Sequence, residues 1–219
     1  MNSPIIQLLV LAGIAVFLIL RLKNVLGTRD GFEKPSAPAP GPAPAKRRDF
    51  EVIEGGPDLD ITDHVPEGSE AAEALAKMKR AEPGFGVGDF LGGARGAYEM
   101  ILMGFERGDL AEIKPLLSDE VYETFAEVVE AREAQGLTIE ADFVGIREMG
   151  LNDATFDDNT KLAELTVRFV GELTSVVRDR AGEVIEGSPT SPKKQKDIWT
   201  FARHMGSDDP NWQLVATGE

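Results

Sequence analysis

The sequence predicts an α+β domain, in which helices pack on one face of a curved antiparallel sheet, preceded by one transmembrane helix. Three observations lead to this prediction. Apolar residues recur every three or four positions between residues 85 and 136, which is the spacing of helices. They alternate with polar residues in several segments between residues 139 and 215, as in half-buried strands. An uncharged apolar run stands near the N-terminus. Helices followed by strands favour the α+β class.

The charge of the 219-residue chain, −15 in total, is unevenly distributed. Residues 1–50 carry seven basic and three acidic side chains, a net charge of +4, whereas residues 51–219 carry a net charge of −19. Binding to DNA or RNA needs a basic face, so nucleic acid is excluded as the principal partner. The chain has no cysteine, which excludes disulfides, a thiol nucleophile, Cys-ligated zinc and iron–sulfur clusters.

The uncharged run from Ile5 to Leu20 is predicted to cross a membrane once, within an anchor of residues 1–26. As a helix it spans about 24 Å, against a hydrocarbon core of about 30 Å, and the uncharged stretch already begins at Met1. A buried soluble helix and a cleaved signal peptide are the alternatives. A signal peptide has small residues after its apolar core, whereas Arg21 follows here. The predicted anchor residues are Ile5, Leu8, Leu9, Leu11, Ile14, Phe17, Leu18 and Leu20.

Basic residues predict the orientation of this span. Arg21, Lys23, Arg29 and Lys34 follow it closely, and no basic side chain precedes it. The positive-inside rule therefore places the C-terminal part of the chain in the cytoplasm. Three further basic residues, at 46–48, are positioned to contact the anionic headgroups of the same leaflet.

Residues 27–84 are predicted to form a tether between the anchor and the folded domain. In Pro35–Ala45, proline alternates with small residues, which favours a stiff polyproline II spacer; a ligand for a proline-binding module is the alternative. Residues 51–70 contain seven acidic and no basic residues, and we expect them to be disordered or loosely held. A short helix follows over residues 69–80, with Ser69 as its N-cap.

The folded domain is predicted over residues 85–219, and its first half contains three helices with apolar faces. Each is bounded by capping residues, namely Asp89 and Gly108 for the first, Asp109 with Glu112 for the second, and Ser118 and Gly136 for the third.

Strands are predicted in the second half of the domain. The alternating segments are Ile139–Phe143, Leu165–Leu173, Ile198–Phe201 and Trp212–Val215. A hairpin is predicted at Asp179–Gly182, because short apolar segments flank it on both sides. A loop that contains proline and lysine is predicted between Ile185 and Ile198.

Few residue patterns indicate catalysis. His64 and His204 are far apart in the sequence, and no metal-ligand motif accompanies them. No Gly-x-Ser-x-Gly motif is present. The glycines of residues 84–88 lack the lysine of a phosphate-binding loop and are interpreted as a turn. The sequence therefore predicts no catalytic residue, metal or cofactor, and a protein that is not an enzyme.

Two groups of side chains are candidates for binding. Glutamates on the third helix favour a solvated face, with docking of a basic partner as the alternative; they are Glu120, Glu123, Glu127, Glu130 and Glu133. Aromatic residues are candidates for a ligand or peptide groove, with burial in the core as the alternative; they are Tyr98, Phe105, Trp199, Phe201 and Trp212.

Several segments resemble a known family. Phe90–Tyr98 reads FLGGARGAY, and it is followed by FERGDL at Phe105–Leu110 and LLSDEVY at Leu116–Tyr122. These segments resemble the C-terminal domain of the mitochondrial import-motor scaffold, translocase of the inner membrane, subunit forty-four. The closing segments Asp197–Phe201 and Asp209–Val215 are similar to its bacterial relatives, called TimA. The resemblance implies a cone of the nuclear transport factor two-like type, with a pocket in its concave sheet.

The resemblance also implies a function. The mitochondrial scaffold recruits an Hsp-seventy chaperone to the import channel on the matrix face, which is equivalent to the bacterial cytoplasm. In place of that family's long chaperone-binding region, this chain has an apolar segment and a spacer. The implied protein is an adaptor in the bacterial inner membrane, whose cytoplasmic domain binds a membrane protein complex, a client protein or a chaperone. A small-molecule- or lipid-binding domain, or an enzyme that uses the cone pocket, is the alternative.

Overall fold

The computed structural model describes residues 57–218. Within them the helices are α1 (Leu59–Thr62), α2 (Glu70–Ala81), α3 (Val87–Arg107), α4 (Leu110–Ile113) and α5 (Asp119–Gln135), with a 3-10 turn at Lys114–Leu116. The strands are β1 (Thr138–Phe156), β2 (Leu162–Arg178), β3 (Val184–His204) and β4 (Gln213–Gly218). The predicted anchor, the basic residues that follow it and the proline-rich spacer lie outside the described residues.

The strands form one antiparallel sheet in the order β1-β2-β3-β4. The predicted α+β class is therefore confirmed, with helices that precede a curved sheet in the chain. The predicted hairpin at Asp179–Gly182 is also confirmed, since it connects β2 to β3. The Oδ1 atom of Asp179 accepts hydrogen bonds from the backbone N–H groups of Ala181 and Glu183, which fixes this turn.

One face of the sheet, here called the inner face, packs against the helices and carries the apolar core. Alternate residues of β2 point to it, and four of them are fully buried: Ala163, Leu165, Val167 and Phe169. Their partners in the register are apolar on β1, whereas on β3 they are the aromatic Trp199 and Phe201 and the charged Asp197 and Arg203. The inner face of β2 therefore forms the middle of the core.

Strand β1 continues well beyond the predicted Ile139–Phe143 and ends at Phe156. Its register against β2 shifts three times, after Phe143, Ile146 and Leu151. Each shift is a β-bulge, which adds one residue and returns the next apolar side chain to the inner face. The prediction was too short because three-residue steps between apolar side chains hide the alternation of a strand.

The loop predicted between Ile185 and Ile198 is wrong, because this segment belongs to β3. Its pairing with β2 shifts between Ser188 and Lys193, and Pro189 and Pro192 fall within that shift. A proline has no N–H group to donate to the sheet, and it is tolerated at a bulge or a strand edge. Two prolines at a bulge thus gave the appearance of a loop.

Predicted helix caps are confirmed where the cap is local. The Ser69 hydroxyl accepts a hydrogen bond of 3.2 Å from the N–H of Ala72, and α2 begins there. Ser118 caps α5 in the same way, with a bond of 3.3 Å from the N–H of Val121. Gly108 and Gly136 end α3 and α5 in the left-handed conformation that favours glycine.

Two other predicted caps are wrong. Helix α3 begins at Val87 with Gly86 as its N-cap, so Asp89 lies in the first turn and does not cap it. The side chain of Asp109 makes no capping bond to α4. Its backbone, at φ −92° and ψ 69°, is outside the extended conformation that places a capping oxygen over the first turn.

Residues 57–84 are packed against the rest of the domain, although the sequence assigned them to a tether. Leu75 and Met78 of α2 are fully buried, and Ile61 and Val65 lie in the same core. The expectation of a loosely held acidic stretch is therefore wrong for its described part, residues 57–70. Acidic composition was misleading because two of these acidic side chains have specific partners in the fold.

Asp60 connects the N-terminal segment to α2 and α3. Its carboxylate accepts hydrogen bonds of 2.8 Å from the N–H of Val87 and 3.0 Å from the N–H of Gly88. The Lys79 ammonium lies 2.8 Å from Asp60 and 2.7 Å from Asp58. Partial burial acts to raise the pKa of Asp60, but Lys79 and the two backbone donors lower it to about 2. The start of α3 thus has a distant aspartate in place of a local cap.

We expect the Asp60→Asn variant to be less stable than the wild type at neutral pH. Because the pKa of Asp60 is about 2 in the folded state, below its ordinary 3.8, its stabilising effect is complete above pH 3.8 and is lost as the pH falls to about 2. The free energy of unfolding, measured in urea across this range, should therefore differ less between the two proteins at acidic pH. If the difference in the free energy of unfolding between the two proteins did not change with pH, this account would be contradicted. Asp63→Asn, at an exposed position, is the matched control.

Candidate functional site

Aromatic side chains from α3, β2 and β3 fill the centre of the inner face. The ring of Tyr98 stacks on that of Phe169, with centroids 4.3 Å apart, and lies 4.7 Å from that of Trp199. Phe201 lies beside Trp199, at 6.3 Å. All four residues are at most 4% exposed. Three of the candidate groove residues, Tyr98, Trp199 and Phe201, are therefore buried in the core and do not line an open groove, because α3, which carries Tyr98, packs directly on the sheet.

A buried polar pair lies within this aromatic cluster. The Tyr98 hydroxyl donates a hydrogen bond of 2.6 Å to Asp197 Oδ2, and Gln195 Nε2 donates one of 3.0 Å to Asp197 Oδ1. Burial, followed by the hydrogen bond and negative charge of Asp197, raises the pKa of Tyr98 well above its usual range. The phenol therefore stays protonated and donates. The pair connects α3 to β3 through an otherwise apolar interface.

Gly171 of β2 leaves the space that the Tyr98 hydroxyl occupies. A methyl group at Gly171 would lie 2.6 Å from the hydroxyl oxygen and 3.1 Å from the ring carbon Cε1 of Tyr98. Both distances are shorter than van der Waals contact. The absence of a side chain at Gly171 therefore allows Tyr98 to approach the sheet and reach Asp197.

Trp212 belongs to a second group of contacts, near the start of α3. Its ring lies 4.8 Å from the ring of Phe90 and 6.1 Å from that of Phe85. The guanidinium of Arg203 lies 5.2 Å from the Trp212 ring centre, a cation–π contact. Arg203 also donates a hydrogen bond of 2.8 Å to Glu82, the residue that ends α2. Trp212 is half-buried and held on several sides.

Phe105, the last candidate groove residue, belongs to α3, and its side chain contacts α5. Its ring is 4.4 Å from that of Phe125, and the Arg132 guanidinium lies 4.4 Å from the Phe105 ring centre. The adjacent Glu106 is half-buried. Burial raises the pKa of Glu106, Arg132 opposes this rise, and the negative charge of Glu186 adds to it. The contact between α3 and α5 therefore brings a half-buried carboxyl group near a guanidinium.

The opposite face of the sheet, here called the outer face, carries paired charges. Arg147 donates two hydrogen bonds to Glu172 Oε2, of 2.8 and 2.6 Å, from its Nε and Nη2 atoms. Arg168 and Glu148 form a second pair, at 3.2 Å. These pairs join β1 to β2 across the outer face.

Asp197, Gly171 and Arg203 are site residues to which the sequence assigned no role. For Asp197 a signal exists, because strand alternation places it on the same face as Trp199 and Phe201. A carboxylate among buried aromatic residues needs a buried donor. That Tyr98 is this donor is not visible in the sequence, and neither is the contact of Gly171 with it.

Two surface hollows lie outside this inner-face cluster. One is lined by the turn between β1 and β2, at residues 155–164, and the other by α2 together with residues 153–156. Neither includes a candidate groove residue. Within residues 57–218, no group of three or more His, Asp or Glu side chains is placed to hold a metal ion. Over the same residues, no helix has both the length and the apolar character of a membrane span.

These features define an α+β domain in which the inner face of the sheet is filled by the chain's own aromatic side chains. The Tim44-like domain family matches residues 71–219, and the chain belongs to this family. The match begins within α2, ahead of the domain start predicted at residue 85. The resemblance seen in the sequence is thus confirmed at the level of the Tim44-like domain.

The chain is similar to the human mitochondrial import inner membrane translocase subunit TIM44, with 24% identity over 150 residues. This match covers 67% of the chain and 33% of the human protein, so the chain corresponds to about a third of that protein's length. Among solved structures it is similar to the intermembrane space region of the chloroplast protein ARC6. That similarity has a TM-score of 0.42 and 9% identity, and it covers 58% of this chain and 94% of the other.

We expect Gly171→Ala to destabilise the domain by about 1–3 kcal/mol, because the added methyl group overpacks against Tyr98. Tyr98→Phe should cost about 1–3 kcal/mol, because it removes a donor from the buried Asp197. The double variant should lose less stability than the sum of the two single losses, because phenylalanine has no hydroxyl near the added methyl group.

Urea denaturation of the wild type, the two single variants and the double variant measures this coupling. Gly150→Ala on β1 is the matched control, because nothing lies within 4 Å of a methyl group added there. Additive losses would show that Gly171 and Tyr98 do not constrain each other.

Proposed function

We propose that the protein is a non-enzymatic adaptor of the bacterial inner membrane, of the TimA type. Its Tim44-like domain, on the cytoplasmic side, binds a membrane protein complex, a client protein or a chaperone. The observation that carries this proposal is the order of features in one chain. An uncharged apolar segment, Ile5–Leu20, comes first and is followed by basic residues, and the Tim44-like domain follows at residues 71–219. The human relative is named as a subunit of an inner membrane translocase.

The packing of the inner face supports a role in protein binding. Its aromatic side chains contact one another, and the carboxylate of Asp197 is engaged with Tyr98 and Gln195. The buried candidate groove residues Tyr98, Trp199 and Phe201 thus hold the helices on the sheet. Recognition of a partner then falls to the outer surface of the domain, as in an adaptor.

Binding of a small molecule or lipid is a second candidate function. The half-buried Glu106 near Arg132 favours it, because burial raises the pKa of Glu106 beside a guanidinium that suits an anionic ligand. Native mass spectrometry of the protein purified from its host would favour this function if it found one small molecule per chain that the Arg132→Ala variant lost.

The adaptor proposal predicts specific crosslinks in native membranes. A photoreactive amino acid at Ile185 or Met100, which are 45% and 54% exposed, should form discrete adducts with integral membrane or client proteins. The control is a chain in which an unrelated soluble domain follows residues 1–56. Adducts that do not exceed those of this control at either position would reject the adaptor function.

The anchor is testable separately. The wild type should stay with the membrane fraction after alkaline extraction, whereas Leu11→Arg combined with Ile14→Arg should release it. Each arginine at the centre of a span costs about 2.5–3.5 kcal/mol. The same two positions changed to alanine serve as the matched control. Release of the wild type by alkaline extraction would contradict anchoring. The orientation has its own test: a reporter fused after Leu26 that was active only in the periplasm would contradict it.

A further inference from the structure

Part of β3 has an edge that no other strand covers within residues 57–218. Strand β4 pairs only with Ile198–Ala202. The preceding segment Lys193–Lys196, here called the lysine edge, pairs on its other side with Val170–Leu173 of β2. It is therefore held extended, and the main-chain N–H and C=O groups on its open side are directed away from the sheet. Such an edge is a template for one more strand.

Three of the four residues of the lysine edge are exposed lysines, on a chain with a net charge of −15. Within residues 57–218, neither Lys194 nor Lys196 has a carboxylate partner within 4 Å. Glu172, which lies opposite Lys194 in the strand register, is already bound by Arg147. Lys193 lies 3.7 Å from Glu186, but both side chains are exposed and such pairs are weak. The lysine edge is therefore a local source of positive charge.

Lysines on an edge strand discourage pairing with basic or identical strands. The same charges attract a strand of opposite sign, because cross-strand pairs of opposite charge stabilise a sheet. Lys194 and Lys196 are two residues apart, so both side chains lie on the outer face, about 7 Å from each other. A matching strand has acidic side chains at alternate positions on that face.

We infer that the lysine edge binds an extended acidic segment of a partner protein, which adds to the sheet beside β3. This inference rests on the proposed adaptor function and specifies the chemistry of its partner. An anionic membrane surface would also attract the lysines, but its headgroups offer no row of main-chain donors and acceptors in strand register. The open edge and the lysines together therefore favour a peptide.

The probe is a short capped peptide in which glutamate alternates with threonine, titrated into the full-length chain. We expect saturable binding, with changes in the amide NMR signals of Lys193–Lys196. Lys194→Glu combined with Lys196→Glu should weaken binding by roughly tenfold or more, because two attractive contacts become repulsive. Lys114→Glu combined with Lys161→Glu is the matched control, because it changes the net charge equally at exposed positions away from the edge.

A second control separates strand addition from attraction between charges. The same peptide, N-methylated at alternate residues, keeps its glutamates but loses main-chain donors, and it should not bind. Equal binding of the methylated peptide, or equal weakening by both double variants, would overturn the inference. The inference would also be overturned if the peptide did not bind but phosphatidylcholine–phosphatidylglycerol vesicles did, and the edge variant lost this vesicle binding. That result would indicate a membrane contact.

The crosslinking experiment distinguishes failure of this inference from failure of the adaptor function. If the photoreactive wild type forms partner adducts and the edge variant forms the same adducts equally well, the partner binds elsewhere and the inference is overturned. Adducts that the edge variant loses, and the control variant keeps, support it. If the wild type itself forms no adducts, the adaptor function is rejected, whether or not the peptide binds.

Discussion

Because the helices cover the inner face of the sheet, the apolar side chains of the strands have to reach that face. Strand β2 achieves this with simple alternation. Strand β1 needs three bulges, which return residues such as Met149 and Ala154 to the inner face at the expense of regular ladder bonds. Bulges also bend a strand, and α2 and α3 both pack on β1. The curvature of the sheet thus follows from the positions of apolar residues along β1.

At the centre of the inner face, buried polar groups satisfy one another. Tyr98 and Asp197 do so, and Gly171 provides the space in which they meet. These three residues come from α3, β3 and β2, so one hydrogen bond relates three elements of the fold. The outer face carries ion pairs between β1 and β2, and the open edge of β3 carries exposed lysines.

Sequence patterns predicted the features whose signals are local. The serine caps of α2 and α5, the glycines that end α3 and α5, and the turn after β2 each depend on a few neighbouring residues. The errors involve distant partners or interrupted periods. Helix α3 begins at Val87, where the distant Asp60 accepts the hydrogen bonds of its first N–H groups. Bulges hide the true lengths of β1 and β3. Candidate site residues were recognised by type, but their burial depends on contacts such as Tyr98 with Asp197, 99 residues away.

The contacts of Asp60 have a mechanical consequence. They stand close to the point where the N-terminal part of the chain joins the folded domain, and they bind Lys79 of α2 and the first turn of α3. A force applied through the N-terminal segment acts first on these contacts, and α1 can separate from the domain only after they break. Detachment of α1 under tension therefore requires the loss of its contacts with both α2 and α3.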